Sequence, residues 1–107
     1  MRIRTLIDMP RAARIGEIIT IRATIAHPME TGYRRGSDGV RLPRNIIRSF
    51  HCRIGDREIF RADLFPAVSA NPYLVFHHRV RASGELVFSW RGDQGFAHEE
   101  RVSLIAQ

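Results

Sequence analysis

The sequence predicts an all-β fold, an immunoglobulin-like β-sandwich of about seven strands. Three observations point there. Apolar and polar residues alternate at a period of two in one segment after another. Clusters of Gly, Pro, Asn and Asp separate those segments, and no stretch sustains a helical period. With 107 residues the chain is one domain, 1–107, and at 44% hydrophobic residues it can build a core without disulfide staples.

Residues 1–7 read as the first strand, and residues 10–14 as at most one helical turn. Ile19, Ile21, Ala23 and Ile25 then share one strand face, with Thr20, Arg22 and Thr24 on the other. Phe50, Cys52 and Ile54 form the next apolar face, opposite His51 and Arg53. Gly55-Asp56 turns into residues 58–65, where Phe60, Ala62 and Leu64 alternate with Arg61 and Asp63. Pro66 and Asn71-Pro72 bracket a connection to Leu74, Phe76, His78 and Val80. Ser83-Gly84 turns into Leu86, Phe88 and Trp90. Gly92-Asp93-Gln94-Gly95 is a hairpin loop before a last strand with Phe96, His98, Val102 and Leu104 in phase.

The net charge is +6, and all 17 basic residues are arginine, the side chain suited to bidentate contact with carboxylates and oxyanions. Such a charge favours acidic partners, anionic ligands or nucleic acid without choosing among them. The single cysteine, Cys52, excludes an internal disulfide and a cysteine-rich zinc site. Its place between Phe50 and Ile54 predicts a buried, inert thiol, with a bond to a partner chain as the alternative. The five histidines show no ligand spacing, and adjacent His77 and His78 point to opposite faces. His51 and His77 read as exposed strand residues, and His78 as a core histidine with one hydrogen bond.

Residues 25–47 form the longest interruption of the strand pattern, and a small domain seldom spends that much chain on an idle loop. Arg34, Arg35, Arg41, Arg44 and Arg48 gather here, with Asp38 as the nearby acid in sequence. A solvated face, a docking surface for an acidic protein and a phosphate-binding patch all fit, although Tyr33 alone is a thin aromatic platform for nucleic acid. Pro28 keeps His27 out of helical geometry and presents Met29 as an apolar knob at a loop tip. With Tyr33, Pro72, Tyr73 and Leu74 it makes a candidate partner patch; the alternative is that Met29 and Tyr73 plug the end of the sandwich.

His27-Pro28-Met29-Glu30-Thr31-Gly32, followed by Ser37-Asp38-Gly39 and Pro43-Arg44, resembles the signature loop of the SoxZ family, the Z subunit of the sulfur-oxidation (Sox) carrier complex. Residues 67–74, Ala-Val-Ser-Ala-Asn-Pro-Tyr-Leu, resemble the family's second signature. The resemblance implies a noncatalytic subunit without a cofactor, paired as a heterodimer with SoxY. The C-terminal cysteine of SoxY carries the sulfur substrate during oxidation of thiosulfate and other reduced sulfur. It implies transient contact with other sulfur-oxidation enzymes, and no nucleic acid or membrane partner. His27, Pro28, Met29, Glu30, Arg44, Asn71, Pro72, Tyr73 and Leu74 are the expected partner-binding residues, with Arg34 and Arg35 steering docking by charge. The first residues read as a strand rather than a secretory signal, which alone argues for the cytoplasm. The resemblance instead implies the periplasm, reached by export together with SoxY. A surface built for such a partner leaves the isolated chain free to self-associate.

Overall fold

The computed structural model describes residues 3–107, so the first two residues of the expected opening strand lie outside the described part. Eight strands follow in order: β1 (Thr5–Asp8), β2 (Ala12–Ala13), β3 (Ile18–Ile25), β4 (Ile47–Ile54), β5 (Arg57–Asp63), β6 (Tyr73–Arg79), β7 (Gly84–Gly92) and β8 (Ala97–Ala106). They form a three-stranded sheet, β1-β3-β6, and a five-stranded sheet, β2-β8-β7-β4-β5. All pairings are antiparallel except the short β2–β8 contact.

Strand β2 corrects the expectation of a helical turn at residues 10–14. Ala12 and Ala13 lie extended and parallel to Ile105 and Ala106, with Ile105 N–H donating to the Arg11 carbonyl at 2.9 Å and Gln107 N–H to the Ala13 carbonyl at 2.9 Å. Two alanines carry no alternation signal, and the free backbone edge of β8 captured them.

Alternation sets the core. Ile19, Ile21, Ala23 and Ile25 face inward from β3, Phe50 and Cys52 from β4, Phe76 from β6, and Leu86, Phe88 and Trp90 from β7. Phe50 sits at the centre, with ring centroids 5.1 Å from Trp90, 5.9 Å from Phe76 and 6.3 Å from Phe88. Phe60 stacks on Phe76 at 4.3 Å and so fastens β5 of one sheet to β6 of the other. On the opposite flank the fastening is polar: the Thr5 hydroxyl donates to the Glu100 carboxylate at 2.9 Å. Cys52 is fully buried in this core, and desolvation pushes its thiol up to about 12, which leaves it protonated and unreactive at neutral pH.

Candidate partner-binding surface

The long interruption between β3 and β4 is a hairpin. Glu30 and Asn45 exchange backbone hydrogen bonds at 2.8 and 2.7 Å at its base, and Leu42 N–H donates to the Arg34 carbonyl at 2.8 Å further out. Gly36 and Gly39 turn the tip, where Asp38 accepts from Val40 N–H at 3.0 Å.

The two signature segments meet beneath this hairpin. His27 N–H donates to the Asn71 side-chain oxygen at 2.9 Å, and Asn71 N–H returns a bond to the His27 carbonyl at 2.7 Å. Asn71 takes φ = 55°, a left-handed conformation that asparagine tolerates better than most residues. The His27 ring is buried and meets Phe96 edge-on at 5.0 Å. Its Nδ1 accepts from Met29 N–H at 3.0 Å, so the neutral tautomer carries its proton on Nε2. Burial holds the His27 pKa below its usual value, with Asp93 pulling weakly the other way.

Met29 takes the second of its two readings, a plug in the end of the sandwich, whereas Tyr73 does not. Met29 is 5% exposed rather than a knob at a loop tip, and its sulfur accepts from Ile47 N–H at 3.2 Å. The constraint from Pro28 fixed His27 but said nothing of Met29, whose left-handed φ of 52° turns its side chain into the core. Pro72 is buried as well, and Glu30 and Leu74 are half-buried. Pro28, Arg34, Arg35, Arg44, Asn71 and Tyr73 remain exposed.

The arginines of the hairpin are less free than their spacing suggested. Asp38 is not their nearest acid. Arg34 holds Glu30 through Nε at 3.1 Å and Nη2 at 2.5 Å, and keeps that carboxyl below the usual range. Arg44 forms a two-pronged contact with Asp93, at 2.8 and 2.9 Å, and Arg48 approaches the same carboxylate at 3.3 Å. Asp93 also accepts from Ile46 N–H at 3.2 Å, and Arg44 holds its carboxyl below the usual range. Arg35 donates to the Gly39 carbonyl at 2.8 Å. Asp93 thus ties the β7–β8 loop to the base of the hairpin, a role that its place in an ordinary-looking turn did not reveal.

A second surface escaped the sequence reading. On the outer face of the three-stranded sheet, Leu6, Thr24 and Tyr73 stand in one cross-strand row, with Val75 two residues along β6. Leu6 is 67% exposed, Tyr73 56% and Val75 47%. The signal was present as apolar residues at outward positions of alternating strands. The outer face of the five-stranded sheet carries charge instead, including Arg101 between Glu85 and Glu99 at 2.9 and 3.4 Å.

The histidines are dispersed. His51 lies 3.3 Å from Glu58, and His77 is exposed beside the Thr20 hydroxyl at 3.2 Å. His78 is half-buried at the far end of the sandwich rather than in the core, and no hydrogen bond satisfies it among the described residues. No group of three or more His, Cys, Asp or Glu side chains suited to a metal ion forms among the described residues.

Solved structures share this architecture. Superoxide reductase (neelaredoxin) from Ignicoccus hospitalis superposes with a TM-score of 0.76 at 17% identity, covering 96% of this chain and 80% of the other. A superoxide reductase in the oxidised state gives 0.59 at 14% identity, with 94% and 86% covered. The sulfur carrier protein SoxY from Chlorobium limicola f thiosulfatophilum gives 0.68 at 11% identity, with 96% and 78% covered. At such identities the likeness is one of fold. No curated protein sequence matches the chain. The family model of the sulphur oxidation protein SoxZ, in contrast, matches residues 7–103 and takes in both signature segments, so the chain belongs to the SoxZ family and its role lies in sulfur oxidation.

Proposed function

We propose that this chain is the noncatalytic subunit of a SoxYZ carrier complex, binding SoxY as a heterodimer in the periplasm after export with it. SoxY carries the sulfur substrate on its C-terminal cysteine, and the pair passes between the enzymes of thiosulfate and reduced-sulfur oxidation. The family match carries this reading. Its physical support is the outer face of the three-stranded sheet, where Leu6, Tyr73 and Val75 leave apolar area in water that a partner would cover. The SoxY neighbour has a similar fold, so the proposed complex joins two sandwiches. The signature segments act one step behind that surface. The Asn71–His27 bonds fix the entry of β6, and with it the position of Tyr73.

Native mass spectrometry of the chain co-expressed with SoxY from its own host tests the reading. A one-to-one complex is expected, and recovery of the chain only in free form would overturn it. Within such a complex, combined Leu6→Ser and Tyr73→Ala replacement should weaken the affinity roughly ten- to hundredfold, because a central aromatic anchor carries a large share of interface energy. An unchanged affinity would move the interface elsewhere on the chain.

A further inference from the structure

At the end of the sandwich away from the signature hairpin, the β4–β5 turn and the β6–β7 connection enclose an open cleft of about 560 Å3. Arg53, Arg57, Arg81, Arg101 and His78 line it, together with Asp56 and Glu85. These charges are not equivalent. Arg101 and Glu85 form an ion pair at 2.9 Å and neutralise each other. Arg53, Arg57 and Arg81 have no carboxylate within ion-pair distance among the described residues, unlike Arg34, Arg44, Arg48, Arg61 and Arg101. Three unpaired guanidiniums against Asp56 leave the cleft with an excess of two positive charges.

His78 reports this field. It comes from β6, half-buried, and faces Arg57 at the start of β5 and Arg81 on the following connection. Burial first, and then the charges of Arg57 and Arg81, hold its pKa below the ordinary value. Like charges gathered at the mouth of a cleft repel one another until a counter-anion joins them, and guanidinium forks match the paired oxygens of a tetrahedral oxyanion.

We infer that this cleft is a binding site for a small divalent oxyanion of the sulfate type, gripped by Arg57 and Arg81, with Arg53 adding to the positive charge of the lining. The charge excess of two selects a dianion over chloride or a single carboxylate. The site lies at the other end of the fold from both signature segments, and its chemistry does not rest on the proposed heterodimer. Such a group reaches the cleft as the free ion.

The test follows the His78 ring signals of the full chain by NMR during titration with sodium sulfate and with thiosulfate. Sodium chloride at matched ionic strength is the control. The expected result is a saturable shift with both dianions and a rise in the His78 pKa larger than the non-saturating rise that chloride gives by screening Arg57 and Arg81. Combined Arg57→Gln and Arg81→Gln replacement should weaken binding at least tenfold; both side chains are exposed, so the fold should be kept. An equal response to chloride, or sulfate binding that survives the double replacement, would overturn the inference. A parallel titration with a short peptide bearing S-sulfocysteine, whose sulfonate carries one negative charge, tests the charge selection: weaker binding than sulfate is expected, and equal or tighter binding would overturn the inference. Every titration uses the isolated chain, so failure here leaves the SoxY reading standing, and failure to bind SoxY leaves this one standing.

Discussion

The two ends of the sandwich use charge and tight turns in opposite ways. At the signature end Arg44 and Arg48 close on Asp93, Arg34 closes on Glu30, and His27 is bonded through its ring and its backbone. At the other end Arg53, Arg57 and Arg81 face a cleft without acid partners, and His78 lies among them without a hydrogen bond. A charged cluster read from sequence is therefore a poor guide to where charge is available. The dense arginine run of the hairpin is largely consumed by the fold, whereas arginines scattered over three segments leave the larger free charge.

The sharpest way to break the comparison is through backbone packing. Gly92 closes the signature end, and a Cβ there would strike the Ile46 carbonyl and lie 2.9 Å from the Ile47 Cα. Gly92→Ala should cost about 3 kcal/mol or more, lowering Tm by more than roughly 10 °C in a calorimetric scan. Gly55, in the β4–β5 turn, has φ = 58° and open space around its Cα, so Gly55→Ala should cost only about 1 kcal/mol of backbone strain. Equal losses at the two glycines would mean that the ends are packed alike.

Met29→Ala comes next, at about 2 to 3 kcal/mol for an emptied site beneath the hairpin. Urea unfolding of the purified chain measures it, and a loss below roughly 0.5 kcal/mol would return Met29 to the surface.

A smaller effect separates the two histidines. Both have a folded-state pKa below the unfolded one, so each favours the fold above the unfolded value near 6.5, and that contribution is lost as pH falls from there through the folded value. Stability should therefore drop on acidification from pH 7.5 to 5.5. Added salt should raise the pKa of His78, by screening Arg57 and Arg81, and should leave that of His27 unchanged or slightly lower, since its shift comes from burial and Asp93 opposes it. NMR titration at two sodium chloride concentrations reads both, and parallel movement would refute the contrast.

Smallest of all should be Arg34→Ala with Arg35→Ala. These exposed side chains contribute little to stability, so Tm should stay nearly constant while association with an acidic partner slows. Stopped-flow association rates should converge with wild type as salt rises. A deficit independent of salt would point to lost contacts rather than steering.

Alternation made the strands and the inward face legible, because a period of two in Ile19–Ile25 or Leu86–Trp90 has one solution when a core must form. The signature segments were legible as segments, but the depth of their side chains was not. Whether Met29 points out or in depends on one left-handed backbone angle, which no spacing rule encodes. Asp93 stayed hidden for another reason: its partners Arg44 and Ile46 lie almost fifty residues earlier and meet it only once β4 and β7 have paired. The far cleft is of the same kind, assembled from β4 to β8 with the β4–β5 turn and the β6–β7 connection.

One consequence remains in the last strand. β8 runs for ten residues, yet among the described residues the strand on its outer side, β2, pairs only with Ile105 and Ala106. The rest of that margin presents a row of backbone donors and acceptors, the kind of template on which stray chains add and fibrils begin. His98, Glu99, Glu100 and Arg101 stand along it in unbroken succession. Four ionisable side chains in a row act as gatekeepers, making the margin hard for a neutral extended segment to join. Any association between copies is then expected through the apolar sheet face, where the contact is bounded, and not by open-ended growth along β8.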